Sequence, residues 1–293
     1  MELRHFRYFV AVAEALSFTK AAENLRLAQP SLTRQIKNLE AEMGVRLFDR
    51  SGNRISLTQE GESFLLDARR LLADCAQSVQ AVQRLSRGRT EQLNIGYVAN
   101  VYHDLLPATL GAFRKACPRT ALNLFDMTPA EQYHALDERK IDLGFVPFRA
   151  RSAGSDLQSA CVGHDILMVA VGEGNPLAKK SKISLEDLEP MFFVGMSDKT
   201  YPGSNEWLIN ACREAGFRPR ILQDADREPA VISFVAAGLG VALLPQQIKR
   251  LPHQGVKFLP LQGRLTAESW AVWEGNNSSD CLKQYIQIVK ELS

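Results

Sequence analysis

The sequence predicts a multi-domain fold: a small all-α winged helix-turn-helix, a long linker helix, then two α/β lobes in series. Three observations carry this prediction. Apolar residues recur at helical spacing from Met1 to Gly44, one uninterrupted amphipathic run extends from Thr58 to about Ser86, and beyond it strand-like and helix-like runs alternate. A chain of 293 residues, 45% hydrophobic and 23% charged, is long enough for two or three packed cores and has none of the bias of a disordered polypeptide.

The N-terminal segment reads as three helices. Phe6, Phe9, Val10, Ala13 and Leu16 mark the inward side of the first. Ser17 is placed to cap a short second helix, Phe18–Arg26, which turns Ala21, Ala22 and Leu25 inward. The third starts near Pro30, a residue suited to the first helical position, buries Leu32, Ile36, Leu39 and Met43, and stops at Gly44. Its other face carries Gln29, Ser31, Thr33, Arg34 and Lys37, side chains of the type that reach base edges and phosphates in a major groove. An ordinary solvated helix face is the competing reading.

Charge placement favours the first of these. The net charge of +2 says little by itself, but residues 1–58 hold nine Lys/Arg against six Asp/Glu. No acidic residue lies between Glu23 and Glu40, an interval with Arg26, Arg34 and Lys37, or between Asp49 and Glu60, an interval with Arg50 and Arg54. A phosphate-facing surface needs such windows, because a nearby carboxylate opposes counterion release. Val45–Arg50 and Arg54–Leu57 are short extended runs around Ser51-Gly52-Asn53, so a hairpin, or wing, is expected. Arg50 and Arg54 flank its tip, where they can straddle a phosphate backbone or enter the minor groove.

From Thr58, read as an N-cap, to Ser86 there is no proline and one glycine, and Leu65, Ala68, Leu72, Cys75, Val79 and Val82 form a seam. Such a helix is roughly 40 Å long, so pairing with the same helix of a second subunit is expected; packing within its own chain is the alternative. Ser86–Thr90 reads as a hinge.

Strands are then expected at Leu93–Val98, Ala121–Asp126 and Ile141–Val146, with helices at Asp104–Ala116 and Pro129–Arg139 between them. A second unit has strands at Ile166–Val171, Met191–Val194, Arg220–Gln223 and Val241–Leu244, and helices near Ser204–Ala215 and Glu228–Ala237, ended by Gly216 and Gly238. Two such lobes make a cleft beyond the carboxyl ends of their strands, which suggests ligand binding.

Other classes find little support. The five histidines show no metal-ligand spacing and the five cysteines no Cys-x-x-Cys, so no metal and no disulfide framework is expected. There is no nucleophile elbow or phosphate loop, and Gly238-Leu239-Gly240 follows a helix and precedes a strand, the wrong order for a dinucleotide site. An enzyme is not expected, and no cofactor. A solute-binding transport protein would share the lobes but should carry a signal peptide, which Met1-Glu2-Leu3-Arg4 does not begin. With no long apolar run either, the cytoplasm is the expected location.

Phe6-x-x-Phe9, Ser17–Ala22, Gln29–Ile36, Leu39-Glu40-x-x-x-Gly44-Val45-x-Leu47-Phe48-x-Arg50 and Leu57-Thr58-x-x-Gly61 closely resemble the DNA-binding signature of the LysR-type transcription regulators. The later chain resembles that family's effector domain in Leu93-x-Ile95-Gly96, Asp142-Leu143-Gly144, Asn175-Pro176-Leu177 and Ala236-x-Gly238-x-Gly240-x-x-x-Leu244-Pro245. Within the family, Ile95–Asn100 and Asp126–Thr128 look most like the regulators of benzoate, muconate and chlorocatechol catabolism.

The resemblance implies sequence-specific binding to double-stranded promoter DNA, contact with RNA polymerase, a homotetramer built as a dimer of dimers, and a periplasmic-binding-protein-like effector domain. The expected boundaries are 1–58 for the winged helix, 59–90 for linker and hinge, 91–162 with 268–293 for lobe I, and 163–267 for lobe II. It also implies that Asn100, at the start of the helix after the first strand, and Thr128 contact the effector from one lobe, and that Thr200, Tyr201 and Pro202 close on it from the other. Tyr97, Tyr102 and Phe148 are expected with Tyr201 as apolar walls, and Asn100 and Thr128 at the cleft rim. A small organic acid, aromatic or derived from ring cleavage, is the expected ligand. The arginine that follows Asp-x-Gly-Phe in the muconate-type relatives is Pro147 here, which removes a cation for a second carboxylate; Arg149 and Arg151 lie near.

Overall fold

A computed structural model describes residues 1–49, 55–86, 91–99, 105–149, 157–250, 253–277 and 279–293. The chain divides into two compact units, Met1–Gly88 with Asp137–Lys140, and Arg89–Leu136 with Ile141–Ser293.

The first unit contains α1 (Leu3–Ala15), α2 (Phe18–Leu25), α3 (Gln29–Met43), a two-stranded antiparallel hairpin of β1 (Phe48–Asp49) and β2 (Ser56–Leu57), and α4 (Gln59–Ser86). Its core joins Phe6, Phe9 and Val12 of α1 to Phe18, Ala21 and Ala22 of α2, Leu32, Ile36 and Leu39 of α3, and Leu47 and Phe48 at the hairpin. Val12, not Val10, is the fully buried valine of α1. Leu16 departs further: it takes a left-handed conformation (φ 43°) as the C-cap and is 51% exposed, because the chain must reverse there to enter α2. The Ser17 hydroxyl caps α2 by accepting from the Lys20 amide at 3.3 Å. Arg26 lies outside that helix, as its left-handed cap (φ 55°). Ala28 is the N-cap of α3, which puts Pro30 one place later than expected, at the second helical position. Met43 is only half-buried, and Gly44 ends the helix with φ 72°.

The expected seam of α4 splits in two. Phe64, Leu65, Ala68 and Leu72 pack into the core of their own winged helix, with the Phe64 ring 5.5 Å from Phe6 and 4.9 Å from Phe9. Farther along, Val79 and Val82 are 53% and 68% exposed, joined by Leu66 and Leu71 on the helix surface. Thr58 caps the start: its hydroxyl accepts from the Gly61 amide at 3.0 Å and donates to the Arg46 carbonyl at 2.7 Å.

In the second unit the order is β3 (Gln92–Tyr97), α5 (Leu105–Ala116), β4 (Ala121–Asp126), α6 (Pro129–Asp137), β5 (Leu143–Val146), β6 (Leu157–Gly172), β7 (Phe192–Met196), α7 (Ser204–Glu214), β8 (Arg220–Ala225), α8 (Glu228–Ala236), β9 (Ala242–Pro245), β10 (Val256–Pro260), β11 (Thr266–Glu274) and α9 (Asp280–Leu292). In the first lobe β3 pairs in parallel with β4 and β5, and β11 lies antiparallel to β5. In the second, β7 and β8 are parallel, β7 bridges to Val241 beside β9, and β9 and β10 flank the end of β6. Gly216 and Gly238 follow α7 and α8 with positive φ, as expected.

The element misread from sequence is β6. The predicted strand Ile166–Val171 is only the end of a strand of 16 residues, paired with β11 from Leu157–Glu274 to Ile166–Thr266. Its first half carries Gln158, Ser159, Gly163, His164 and Asp165, so it lacks the apolar run that marks a buried strand. The strands β10 and β11 and the helix α9 also lay outside the predicted set. Helix α9 closes the first lobe by packing Tyr285 edge-on against Phe113 at 5.2 Å and joining its hydroxyl to Thr109 at 2.9 Å.

A close approach ties α4 to the wing. A Cβ at Gly61 would meet the Leu47 carbonyl oxygen at 2.1 Å, so only glycine fits there without backbone movement. Gly61→Ala should destabilise the winged helix by about 1–3 kcal/mol, read as a lower midpoint of chemical unfolding. An unchanged midpoint would contradict the tight α4–wing junction.

Candidate functional site

Two surfaces have the chemistry to act on other molecules. The first is the outer face of α3. Leu32, Ile36 and Leu39 fix the helix about its axis, and Gln29, Thr33 and Lys37, one turn apart, then run along the outward side with Pro30 and Arg34 beside them. Gln29, Pro30, Arg34 and Lys37 are exposed; Ser31, on the flank, and Thr33 are half-buried. Gln29 Nε2 donates to Thr33 Oγ1 at 3.1 Å, and that hydroxyl donates to the Gln29 carbonyl at 3.0 Å, which holds the two polar groups in register. The two acids of α3 are drawn off elsewhere. Glu40 accepts from the Leu47 and Phe48 amides at 2.9 and 3.2 Å, and Glu42 pairs with the α-amino group of Met1. The face is cationic and rich in donors, as a polyanion requires. Arg50 and Arg54, assigned to the wing tip, lie outside the described residues, as does the Ser51-Gly52-Asn53 turn.

The second surface is a cleft in the effector unit, with two chambers sharing Pro147, Phe148 and Trp207. The inner chamber, about 70 Å³, is walled by apolar groups that include Phe148, Met196, Tyr201, Trp207 and Leu244, and by two carboxylates, Asp165 and Glu228. The outer chamber, about 460 Å³, is polar and open, with Arg149, His164, Glu206, Asn210 and Glu268 at its rim. Phe148 and Trp207, whose ring centroids are 5.8 Å apart, stand between the two. Arg149 lies over Trp270 at 5.5 Å, which stacks its guanidinium along the wall of the outer chamber.

The residues expected to contact a ligand are placed differently from one another. Tyr201 lines the inner chamber but is 2% exposed, its hydroxyl donating to Glu228 Oε1 at 2.6 Å. Thr128 is not at a rim: it is 3% exposed and serves as the N-terminal cap of α6. Its amide and hydroxyl both donate to Glu131 Oε2, at 2.7 and 2.9 Å, and the Glu131 amide returns a bond to the hydroxyl at 3.4 Å. These bonds hold the Glu131 carboxyl below the ordinary range. Thr200 closes a turn through Ser197, and its carbonyl accepts from the Ala130 amide at 3.0 Å, so it joins the loop before α7 to the start of α6. Pro202 is half-buried beside it. None of Thr128, Thr200 and Pro202 is a wall of either chamber. Tyr97 packs against the first lobe's core; Phe148 is a wall as expected. Asn100, Tyr102 and Arg151 fall outside the described residues.

Sequence reading missed Trp207, Asp165 and Glu228. The acids carried little signal, since Glu228 directly follows Asp226-Arg227 and Asp165 follows His164. Burial raises the Glu228 carboxyl above its ordinary value, opposed by the Tyr201 bond and by Arg227. Asp165 is raised for the same reason, although Ser269 and Gln247, the latter at 2.7 Å, donate to it. Burial and the neighbouring Glu228 push the Tyr201 hydroxyl upward. The inner chamber therefore disfavours a second negative charge and suits an uncharged or hydrogen-bonding group.

A carboxyl raised in the folded state weakens folding when it ionises. That cost is absent below the ordinary glutamate value and grows as pH rises through the raised native value. Glu228→Gln keeps an acceptor for Tyr201 and removes the charge. Its melting temperature should exceed that of the wild type at about pH 7 and converge with it near about pH 4. A difference that stays constant over this range would contradict the buried-charge account.

Comparison with known proteins places both units in one family. Residues 3–62 match the bacterial regulatory helix-turn-helix protein, lysR family, and residues 86–293 match the LysR substrate binding domain. The HTH-type transcriptional regulator AlsR of Bacillus subtilis (strain 168) is 34% identical over 289 residues, covering 98% of this chain and 95% of AlsR. BenM of Acinetobacter baylyi, also an HTH-type transcriptional regulator, is 34% identical over 265 residues, covering 89% of this chain and 86% of its own. The crystal structure of full-length CbnR with its target DNA superposes with a TM-score of 0.72 at 27% identity, covering 100% of both chains. With a helix-turn-helix ahead of a two-lobed effector-binding domain, the chain belongs to the LysR family of DNA-binding transcription regulators, and it is not an enzyme.

Proposed function

We propose that the outer face of α3 reads operator DNA in a major groove through Gln29, Ser31, Thr33, Arg34 and Lys37, with Pro30 setting the approach of the helix and Arg50 and Arg54 of the wing on the flanking phosphates. The observation that carries this is the placement of a rotationally fixed, acid-free face on a winged helix. Arg34, exposed at the N-terminal half of α3, is the residue best suited to a bidentate contact with guanine. Arg34→Ala should cost about 1–3 kcal/mol on the specific site and little on unrelated DNA, measured by fluorescence anisotropy at fixed salt. Unchanged operator affinity in the folded variant would remove Arg34 from the reading surface.

The effector is a small aromatic acid whose ring enters the inner chamber, between Phe148, Trp207 and Tyr201, and whose carboxylate stays at the outer chamber near Arg149. The raised carboxyls of Asp165 and Glu228 support this orientation, since they exclude an anion from the inner end. Asn100, Thr128, Thr200 and Pro202 assist effector binding, the last three from behind these walls, and the lobes divide near residues 162 and 268. Benzoate and its neutral amide form a probe pair. Each, at 100 times its dissociation constant, should stabilise the wild type by about 2.7 kcal/mol. Arg149→Ala should weaken benzoate binding by tenfold or more and leave the amide unchanged; an equal loss for both would place the carboxylate elsewhere.

Promoter occupancy by this family also calls for self-association and contact with RNA polymerase in the cytoplasm. Leu66, Leu71, Val79 and Val82 on α4 are the surface through which a dimer, and from it a homotetramer, is built. Because Leu72 packs into its own domain, Val79→Asp is the clean test: it should yield a folded monomer in sedimentation. An unaltered oligomer would move the interface off the distal half of α4.

A further inference from the structure

The pairing of β6 with β11 contains one irregularity. Glu268 opposes His164, Ser269 opposes Gly163 and Trp270 opposes Cys161, so Val162 is the extra residue of a β-bulge. In a regular strand, residues three apart face opposite sides, and Cys161 and His164 would be separated by the sheet. The bulge turns Val162 inward, 3% exposed in the first lobe's core, and brings Cys161 and His164 to one face. Glu268 lies on that face opposite His164, and Trp270, two residues on, opposes Cys161. The result is a sulfur, an imidazole nitrogen and a carboxylate oxygen all within 4.8 Å of one another.

An exposed cross-strand ion pair accounts for His164 and Glu268, whose Nε2 and Oε1 are 4.0 Å apart. It does not involve the Cys161 thiol, which donates to the Gly163 carbonyl at 3.5 Å within the bulge and lies beside the pair. We infer that Cys161, His164 and Glu268 form a three-ligand site for a divalent transition metal of the zinc class. Thiolate, imidazole and carboxylate are the zinc donor set, and three protein ligands leave a fourth position open. A tetrahedral zinc with bonds of about 2.0–2.3 Å needs its donors roughly 3.5 Å apart. His164 and Glu268 have 57% and 55% of their side chains exposed, so both can swing inward by about 1 Å through side-chain rotation alone. Both also line the outer chamber of the cleft. Metal binding joins β6 to β11 and displaces the thiol proton, because the thiolate is the ligand.

Cobalt(II) titrated into tag-free, reduced, chelator-stripped full-length protein tests this site. One equivalent should produce a thiolate-to-cobalt charge-transfer band in the near ultraviolet together with the visible bands of a tetrahedral ion, and zinc should abolish both. Cys161→Ser should lose the charge-transfer band, His164→Ala and Glu268→Gln should weaken binding at least tenfold, and Cys117→Ser should leave the spectrum unchanged. Should Cys161→Ser fail to fold, alkylation supplies the second measurement: zinc should slow modification of Cys161 in the wild type at least tenfold and not in His164→Ala. The proposal is overturned if the wild type gives no thiolate band, if the band survives Cys161→Ser, or if zinc leaves Cys161 alkylation unaffected.

Discussion

Burial of Leu32, Ile36 and Leu39 against α1, α2 and the base of the wing is the constraint on which the DNA-binding half depends. All three are completely buried, so rotating α3 about its axis would expose apolar area worth several kcal/mol, at about 25 cal/mol per Å². With rotation excluded, Gln29, Thr33, Arg34 and Lys37 have a single direction to face. Glu40 then works from the other end of the same helix: by accepting two amides at the start of β1 it ties the wing to α3 and takes its own charge away from the outer face. A hydrophobic stripe thus sets the position of a polar one, and one half-buried acid ties the wing to the helix.

The effector unit uses a different device. Two long antiparallel strands, β6 and β11, run through its larger sheet, and the segments that wall the cleft come from that sheet and from the separate two-stranded sheet of β7 and β8. Phe148 follows β5, Tyr201 and Trp207 lie between β7 and the middle of α7, and Asp165 sits on β6 itself. The two sheets meet where Phe193 of β7 bridges Val241, just before β9. A ligand that packs between Phe148 and Trp207 bears on both halves at once, which is the differential contact a ligand needs to shift a conformational equilibrium. Buried Glu228 and half-buried Asp165 add a cost to bringing an anion to the inner end.

Much of the fold was legible because short-range signals and tertiary packing agree. Ser17, Thr58, Gly44, Gly216 and Gly238 end or begin helices where their chemistry says they should, and α3 shows its inward stripe at spacings of four and three. The misread parts are those in which a long-range partner decides. Leu72 looks like a dimer-seam residue by spacing, yet Phe6 and Phe9 on α1 draw the beginning of α4 into the core through Phe64. The first half of β6 is polar and glycine-containing, and only its pairing with β11 makes it a strand. Thr128, expected at the cleft rim, is buried instead, and there the signal was local: Glu131 three residues later completes a capping box. The Cys161–His164–Glu268 cluster has no sequence signature at all. It arises from a bulge and a cross-strand neighbour far along the chain.

The account joins an outward reading face on α3 to a ligand cleft in the effector unit, and DNA footprinting of the upstream intergenic region with and without benzoate tests that union most directly. Protected windows should lie about one helical turn apart, 10–10.5 base pairs, as two winged helices on one face of the duplex require. Benzoate should change the extent or spacing of that protection. Absence of sequence-specific protection, or protection that no cleft-binding aromatic acid alters, would contradict it.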